Sequence, residues 1–400
     1  MRLTSLLLAS GLIQLSIAAY SLKDDYSTER FLDLFNFDTF DDPTHGYVNY
    51  VDRATADSQD LYNVSNGQVT WGVDHVNIAS GRGRNSIRLT SKAQYTHGLV
   101  ILDLAHMPGG ACGVWPAFWM TGPNWPHSGE IDIIEGVNHQ AQNQITMHTG
   151  PGCTLAGSSC DGGLGCYSKP ERSNSYGTPL NTAGGGIYAV EWTSAAINIW
   201  FFPRDGIPGD ISSANPNPAT WGPATASFLG GDNCNIDRHF QNNNIVFDTS
   251  FCGDWAGAVW AQEATCAAQA GTCQEYVRQH PEAFVEAYWT INSLKVYQDT
   301  TSDNSPAAAA AVIVVERDNV PMEAPAPVVR SVTMDTEMVH QERVSADGNT
   351  ANIMEVEDDN SLRPNTLAVG ADADADVDAQ GVSLTEGPRG KKTSRHSHQA

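Results

Sequence analysis

The sequence predicts an antiparallel all-β domain, either a sandwich or a barrel, and three observations lead to that prediction. Short runs at 85–90, 144–148 and 196–200 alternate apolar and polar residues, as a strand with one buried face does. Turn-forming residues separate these runs, most densely at 181–186. Long helical periodicity is scarce, and 266–286 is the best candidate for local helix. One long sandwich accommodates roughly 280 residues, so we expect no second folded domain.

The amino-terminal residues 1–19 differ in composition from this central part. They start with a basic residue, continue through a short apolar stretch and end on small residues, which is typical of a secretory signal peptide. The apolar stretch is shorter than the roughly 20 residues that a membrane span needs. We therefore expect cleavage after Ala18 or Ala19, and a secreted protein that is extracellular or associated with a cell wall, with no membrane partner.

The carboxy-terminal residues 301–400 also stand apart. The last aromatic residue of the chain is Tyr297, and the segment beyond it contains an alanine run, an acidic repeat and a basic end. A segment without aromatic side chains buries little apolar surface, so its ordering would not be compensated. The predicted organisation is therefore a signal peptide at 1–19, a β-sandwich domain at 20–300 and a disordered, acidic, low-complexity tail at 301–400.

The cysteine pattern fits an exported chain. An even count of eight favours disulfides, although sequence alone cannot rank their pairings. No two cysteines have the two-residue spacing of common zinc sites, so we expect structural bridges and no metal site built from cysteines. The sequon Asn63-Val64-Ser65 predicts a surface loop that carries a glycan.

The formal net charge of −24 excludes one class of partner. Proteins that bind nucleic acid need a footprint of lysine and arginine against the phosphates. A neutral polysaccharide remains compatible with this charge, although net charge never identifies a substrate. The sequence indicates no oligomer, so a monomer is the default expectation.

The most informative stretch is Gly129-Glu130-Ile131-Asp132-Ile133-Ile134-Glu135-Gly136. On a helix its three acids would scatter around the axis, whereas on a strand Glu130 and Asp132 share one face and the isoleucines favour the other. Strict alternation would place Glu135 on the wrong face. A one-residue bulge near Ile133-Ile134 restores the register, and bulges are common beside active sites.

Three acids on one face predict acid–base chemistry. Like charges crowded together cannot all ionise cheaply, so at least one pKa should rise. A raised carboxyl can protonate a leaving oxygen while its neighbour stays ionised to attack. Side chains leaning inward could bring the two glutamate carboxyls to about 5–6 Å, near the separation of retaining glycosidases, although this spacing does not exclude inversion. A solvated strand edge and a calcium site are the alternatives, and the loop and glycine pattern of an EF-hand is missing.

In this context the sequence resembles glycoside hydrolase family 16, in particular fungal endo-1,3(4)-β-glucanases of the laminarinase type. The resemblance covers roughly 20–300 and is strongest in Glu-x-Asp-x-x-Glu at 130–135. It also includes Gly113-Val114-Trp115-Pro116-Ala117-Phe118-Trp119, Gly136-Val137-Asn138, His148-Thr149-Gly150, Tyr288-Trp289-Thr290-Ile291 and Lys295-Val296-Tyr297. The tail has no counterpart in it.

This resemblance implies a β-jelly-roll sandwich of two antiparallel sheets with a concave substrate cleft, and a retaining double displacement that uses no cofactor. By the same resemblance, Glu130 is the nucleophile, Asp132 the assisting acid and Glu135 the acid/base. The extra residue before Glu135 is similar to the bulged branch of the family, to which β-1,3-glucanases belong. Since the triad is complete, a catalytically dead protein is disfavoured.

Four further residues are candidate contacts for a β-glucan. Trp115 and Trp119 share one strand face, and indole rings stack on the apolar faces of glucose units. Filling the sandwich core is an equal alternative for any single tryptophan, and the resemblance places Trp119 beside the nucleophile. Trp125 could line the rim of the cleft. Pairing across a turn near 139–140 would set His148 roughly opposite Asp132, as a substrate contact or a structural histidine.

Three functions stay open from the sequence. The first is an endo-acting glucanase that hydrolyses β-1,3 or mixed β-1,3/1,4 linkages. The second is a β-glucan transglycosylase, which passes the glycosyl group to another sugar with the same residues. The third is a non-catalytic glucan-binding protein of the cell wall.

Overall fold

The computed structural model describes residues 20–27, 29–157, 159–161, 165–170 and 172–299. The predicted signal peptide and the predicted tail therefore lie outside the described residues. Across the described residues strands predominate and helices are short, as the sequence predicted. None of the helices in these ranges has the length and apolar character needed to cross a membrane.

The strands follow one another along the whole described part of the chain. They are β1 (Tyr20–Asp25), β2 (Phe35–Phe37), β3 (Val48–Tyr50), β4 (Tyr62–Ser65), β5 (Gln68–Gly72), β6 (Arg84–Ser86), β7 (Leu89–Tyr95), β8 (Gly98–His106), β9 (Val114–Thr121), β10 (Glu130–Glu135), β11 (Gln144–His148), β12 (Ser159–Asp161), β13 (Gly165–Ser168), β14 (Gly186–Trp192), β15 (Ala196–Pro203), β16 (Ala226–Leu229), β17 (Asn243–Phe251) and β18 (Tyr288–Asp299).

The helices are single turns or little more. The α-helices are α1 (Arg53–Ser58), α2 (Gly177–Thr182), α3 (Ile236–His239), α4 (Ala264–Ala267) and α5 (Cys273–Gln279), with 3-10 turns at Phe31–Leu34, Pro218–Thr220, Trp260–Gln262 and Pro281–Phe284 and a π-turn at Gly253–Gly257. The predicted helical region, 266–286, contains the end of α4, all of α5 and the last 3-10 turn.

Two antiparallel sheets, each of eight strands within the described residues, form a β-jelly-roll sandwich. The front sheet has the order β12-β13-β11-β10-β9-β17-β7-β2. The back sheet has the order β16-β15-β14-β8-β18-β5-β4, and β1 also pairs with β18. Because β17 lies between β9 and β7, the centre of the front sheet joins segments that are far apart in sequence.

The core between the sheets is built from large aromatic side chains. Phe118 and Phe247 of the front sheet have ring centroids 4.5 Å apart. Trp71 of the back sheet packs edge-on against Phe247 at 5.1 Å and stacks near Trp289 at 6.4 Å. All four side chains are buried. Truncating one such ring typically costs about 3–5 kcal/mol, so this cluster joins the sheets and leaves the other face of the front sheet free for a cleft.

The predicted strands agree with the structure, with two corrections. The runs at 144–148 and 196–200 are β11 and the first part of β15. The run at 85–90 is split between β6 and β7, because Ser86 pairs with β3 whereas Leu89 pairs with β2 and β17. The sequon residue Asn63 lies in β4, an edge strand of the back sheet, and not in a loop, although its side chain is exposed as expected.

Disulfides fasten the segment that contains α4 and α5. Cys112–Cys266 ties α4 to the residues before β9, and Cys252–Cys273 ties α5 to the end of β17. A third bridge joins Cys153 to Cys234, and Cys166 is disulfide-bonded as well. The expectation of structural bridges is thus confirmed for the described cysteines.

Candidate active site

The predicted bulge is present in β10. Asp132 is opposite Trp119 of β9, but Ile134 is opposite Phe118, so one extra residue is inserted between them. The pairing with β11 shifts in the same place, between Asp132 and Glu135. Ile133 and Ile134 are both fully buried in the core. The bulge therefore returns Glu135 to the face that carries Glu130 and Asp132, and all three side chains line one cleft.

Asn143 holds this bulge, and the sequence analysis missed it. Its Nδ2 donates to the carbonyl of Ile133 at 2.7 Å, and its Oδ1 accepts from the backbone N–H of Glu135 at 2.9 Å. The side chain is buried and replaces the ladder hydrogen bonds that the extra residue disrupts. Its backbone N–H in turn donates to Ser175 Oγ at 3.1 Å. An asparagine just before a strand is a turn signal, so its sequence position gave no sign of this role.

The cleft on the front sheet has a volume of about 610 Å³, within the range of ligand sites. It brings together every residue that the sequence singled out. Glu130, Asp132, Glu135, Trp115, Trp119, Trp125 and His148 all line it. Trp125 is 59% exposed at its rim, where an aromatic face is free to meet a ligand.

The three carboxyls are held away from water, and this shifts their proton equilibria. Burial, followed by the negative charge of Asp132, raises the pKa of Glu135 to about 8. Burial and the Asp132 charge also raise the pKa of Glu130, whereas His148 and a hydrogen bond from the Trp125 side chain oppose that rise. Burial and the charge of Asp248 raise the pKa of Asp132. The prediction that at least one pKa rises is thus supported for all three groups.

His148 is close to two of the carboxylates, but its predicted register was wrong. It pairs with Glu130, and the partner of Asp132 is Thr146. The extra residue in β10 shifts the pairing of everything before it, which a simple turn count does not include. The imidazole nevertheless leans across, so that Nε2 lies 3.3 Å from Asp132 Oδ2 and 3.6 Å from Glu130 Oε1.

The strand tryptophans of β9 point into the cleft and not into the core. Trp115 donates its indole N–H to Glu135 Oε1 at 3.0 Å, and its ring meets Trp255 edge-on at 5.8 Å. Trp119 donates its indole N–H to Asp248 Oδ2 at 3.1 Å. Both remain partly exposed, while Phe118 and Met120 between and beside them are buried. The core alternative is therefore wrong for both residues.

Beneath Trp119 lies a group of residues that the sequence analysis did not select. Arg88 and Asp248 are buried and form an ion pair of 3.1 Å between Nη1 and Oδ2. Arg88 Nε is also 3.5 Å from Asp38 Oδ2. Phe40, which is half exposed, covers the guanidinium and lines the cleft. A signal was available: Asp248 is the single acid in an otherwise apolar and neutral strand, β17, and a buried acid needs a reason.

Among the described residues, two groups of side chains are compact enough to suggest a cation site. Cys112, His139 and Cys266 form one, but both sulfurs belong to a disulfide and cannot act as thiolates. Glu130, Asp132 and His148 form the other, with ligand atoms within 4.8 Å of one another. Calcium takes six to eight oxygen ligands. Two carboxyls and an imidazole are a poor match, so we interpret this group as acid–base machinery.

Comparison with known proteins identifies the family. The model of an XgeA-like catalytic domain of glycoside hydrolase family 16 matches residues 35–297. An endo-1,3(4)-β-glucanase of Arthroderma benhamiae is 48% identical over 327 residues, which are 77% of this chain and 71% of that protein. A probable endo-1,3(4)-β-glucanase of Aspergillus fumigatus is 43% identical over 328 residues, and the match spans only 50% of its length.

Two solved structures support the same assignment. An elongating β-1,3-glucosyltransferase of family 16 is 44% identical with a TM-score of 0.66, and the match covers 70% of this chain and 100% of that one. Laminarinase 16A of Phanerochaete chrysosporium, solved with 6-O-glucosyl-laminaritriose in donor and acceptor sites, is 43% identical with a TM-score of 0.65, covering 70% and 99%. The bulged triad strand, the cleft above it and these matches agree, and the chain belongs to glycoside hydrolase family 16.

Proposed function

We propose that the protein is a secreted, retaining endo-β-glucanase that hydrolyses β-1,3 or mixed β-1,3/1,4 glucans. One observation carries the proposal: Glu130, Asp132 and Glu135 lie on one face of the bulged strand β10, in a cleft and largely removed from water. The relatives named as endo-1,3(4)-β-glucanases supply the substrate class. Neutral glucose units also fit a cleft floored and rimmed by tryptophans.

The surroundings of Glu135 support its role as the acid. Glu135, whose pKa is raised to about 8 by burial, is protonated at neutral pH and is the acid that gives its proton to the leaving glycosidic oxygen. We assign Glu130 as the nucleophile, as the sequence resemblance implies; His148 and a tryptophan oppose the rise in pKa of both glutamates and do not distinguish them. After the leaving group departs, Glu135 is ionised and takes a proton from the attacking water, which releases the sugar with its configuration retained.

Asp132 assists by holding a proton between the two glutamates. Of the three carboxyls it is the one for which every strong influence, burial and the Asp248 charge, raises the pKa. Its Oδ2 is buried and lies 3.3 Å from His148 Nε2, without a hydrogen bond from any described residue. A protonated Asp132 can donate to the Glu130 carboxylate and release that bond as the glycosyl–enzyme forms. The three groups titrate together, so their pH profile belongs to the set as a whole.

The test is the release of reducing sugar from laminarin and from mixed-linkage β-glucan. Glu130→Gln and Glu135→Gln should each lower turnover on the order of 10³-fold, since each removes a group that forms or breaks a bond. Glu191→Gln is the matched control: it lies on the back sheet, bound to Tyr20 and Asn198, and should keep wild-type turnover. A wild-type protein inert on both polymers, yet able to bind them, would indicate the glucan-binding alternative.

Transglycosylation is the second candidate, and the likeness to an elongating β-1,3-glucosyltransferase favours it. The same glycosyl–enzyme serves both reactions, and the outcome depends on whether water or a sugar attacks it. Incubation with one laminari-oligosaccharide of defined length distinguishes them. Products longer than the starting chain indicate transfer, whereas exclusively shorter products indicate hydrolysis.

Secretion and glycosylation belong to the same proposal. The signal pattern at 1–19 supports export, and the exposed Asn63 has its Nδ2 3.3 Å from Ser65 Oγ, the other polar residue of the sequon. Expression in a secreting fungal host should yield protein in the medium that begins at Ala19 or Tyr20. Its mass should fall on treatment with an endoglycosidase, and Asn63→Gln should abolish that change. Retention of the protein inside the cells would contradict the export assignment.

A further inference from the structure

Asp248 connects two parts of the cleft that the proposed mechanism treats separately. It lies on β17, in the middle of the front sheet, between β9 and β7. Its Oδ2 accepts the indole N–H of Trp119 from β9 at 3.1 Å and the Nη1–H of Arg88 at 3.1 Å. One buried carboxylate oxygen therefore joins the aromatic floor of the cleft to a buried cation.

The guanidinium of Arg88 packs against the ring face of the same indole. Its guanidinium carbon is 5.0 Å from the ring centroid of Trp119 and 5.0 Å from that of Phe40, with Tyr50 on a third side at 5.8 Å. A guanidinium between aromatic rings is a favourable arrangement, stronger where water is excluded. Trp119 is thus fixed at its edge by Asp248 and at its face by Arg88, and its orientation is determined by residues outside the triad.

The charge of Asp248 also reaches the catalytic carboxyls. It raises the pKa of Asp132, second only to burial, and contributes to the raised pKa of Glu135. The pKa of Asp248 itself is raised to about 6 by burial, while Arg88 and the Trp119 hydrogen bond oppose the rise. The titratable groups that face this network from the packed elements are Arg88, Asp38, Asp42, Tyr50, Asp132, Glu135 and, beyond Asp132, His148.

We propose that Asp248, paired with Arg88, is a positioning residue that sets the orientation of Trp119 under the reacting sugar. A second effect follows from its charge, which opposes the ionisation of Asp132 and Glu135. This inference rests on the proposed glucanase function for its substrate but not for its geometry. Asp248 is buried and acts through other residues, so it is not itself a catalytic residue. The ion pair between Asp103 and Arg204 on the back sheet should have neither effect, because neither residue lines the cleft.

Asp248→Asn separates the two effects from a purely structural role. The amide keeps an acceptor for Trp119 but removes the negative charge, so Glu135 should lose its proton at lower pH. The alkaline limb of the kcat/KM profile on laminarin should move down by roughly 0.5–1 pH unit. The positive charge of Arg88, no longer offset by its nearest carboxylate, should also favour ionised Glu135. It should therefore move the alkaline limb in the same direction. A weakened bond to Trp119 should raise KM roughly three- to tenfold.

Asp103→Asn is the matched control, because Asp103 pairs with Arg204 at 2.6 Å on the back sheet. It should leave the pH profile in place. A folded Asp248→Asn protein whose kcat/KM profile has the same pH limbs as the control, or whose KM is unchanged, would overturn the inference. If Asp248→Asn does not fold, Arg88→Lys provides the test. It keeps the positive charge but loses the planar guanidinium that stacks on Trp119. KM should therefore rise, while the limbs of the kcat/KM profile against pH should not move. An unchanged KM in that variant would also overturn it.

A readout that needs no turnover separates this inference from the proposed function. With 13C at the carboxyl carbon of glutamate, the titration of Glu135 can be followed directly and assigned with Glu135→Gln. Its apparent pKa should be lower in Asp248→Asn than in wild type, even if neither protein cleaves laminarin. An inert wild type would then contradict the glucanase proposal alone, whereas an unshifted Glu135 titration would contradict this inference alone.

Discussion

The front and back sheets differ in the partners that their carboxylates have. On the back sheet, Asp103 forms an ion pair with Arg204 at 2.6 Å and accepts a hydrogen bond from Asn292 at 2.8 Å. Glu191, also there, accepts from Tyr20 and Asn198. On the front sheet, Asp132 is buried, and its Oδ2 has His148 Nε2 at 3.3 Å but no hydrogen bond from a described residue.

This difference separates paired carboxylates from carboxylates whose burial costs stability. Removing an acid from water normally costs stability, so three such acids in one cleft indicate a function. The two back-sheet carboxylates are partly exposed and paired, which is the ordinary arrangement. The comparison thus separates residues that stabilise the fold from residues that act on a substrate. It can be tested by pairing each front-sheet substitution with a matched substitution on the back sheet.

The largest expected effect in this comparison is at Asn143, because the bulge depends on it. Asn143→Ala removes both hydrogen bonds that replace the ladder, to Ile133 and to Glu135. We expect kcat on laminarin to fall roughly 10- to 100-fold, since a small misplacement of the acid is expensive. Unsatisfied backbone groups should also cost about 1–3 kcal/mol of unfolding free energy.

A matched substitution on the back sheet controls for lost packing. Asn198→Ala removes an amide bonded to Glu191 and Ser227, and it should lower stability without changing kcat. If Asn143→Ala retained wild-type kcat, the bulge would not need its side-chain bridge.

The next effect is on stability and depends on pH. The pKa of Glu135 is about 8 in the folded protein, against 4.5 ordinarily, so the folded state binds more protons than the unfolded state between these values. Stability from this group is therefore fully present below pH about 4.5 and is lost as the pH rises through 8. Glu135→Gln removes that loss. It should melt a few degrees above wild type at pH 8, and this advantage should shrink toward pH 4.5.

Calorimetric melting temperatures from pH 4.5 to 8 measure this slope directly. Glu191→Gln, which replaces a hydrogen-bonded carboxylate of the back sheet, is the control substitution. A Glu135→Gln variant that is less stable than wild type at pH 8 would contradict the cost assigned to the buried acid.

The smallest effect is expected at Trp115. Its indole donates to Glu135 and favours the ionised carboxylate, which holds the pKa below what burial alone would give. Trp115→Phe should therefore move the alkaline limb of the kcat/KM profile up, by roughly half a pH unit. Trp255→Phe is the control, because that ring only meets Trp115 edge-on. A downward shift in Trp115→Phe would show that the hydrogen bond has the opposite effect.

The local features of the site were predictable from sequence, and the non-local ones were not. The bulge followed from the pattern around Glu130, Asp132 and Glu135, because alternation within one strand depends on neighbouring residues alone. Arg88 and Asp248 are 160 positions apart. Their meeting depends on β17 lying between β9 and β7, and strand order is not encoded in any short stretch.

The same reasoning explains the remaining misses. The pairing of Cys112 with Cys266 spans 154 residues, so no spacing rule could select it. His148 was placed opposite Asp132 and pairs with Glu130; the extra residue in β10, which was not carried into the pairing with β11, accounts for one of these two positions. Spacing alone left Trp115 and Trp119 between core and cleft, and the resemblance favoured the cleft for Trp119. The position of β9 in the front sheet decides which face meets solvent.

The most direct test of the central claim, that Glu130 attacks and Glu135 protonates, is rescue by azide with an aryl β-laminaribioside as substrate. In Glu130→Ala, azide should occupy the place of the missing nucleophile and give the α-glycosyl azide. In Glu135→Ala, Glu130 should still form the glycosyl–enzyme, and azide should attack it from the other face to give the β-glycosyl azide. The reverse pairing of products with variants would exchange the two roles. The same anomer from both would contradict the double displacement.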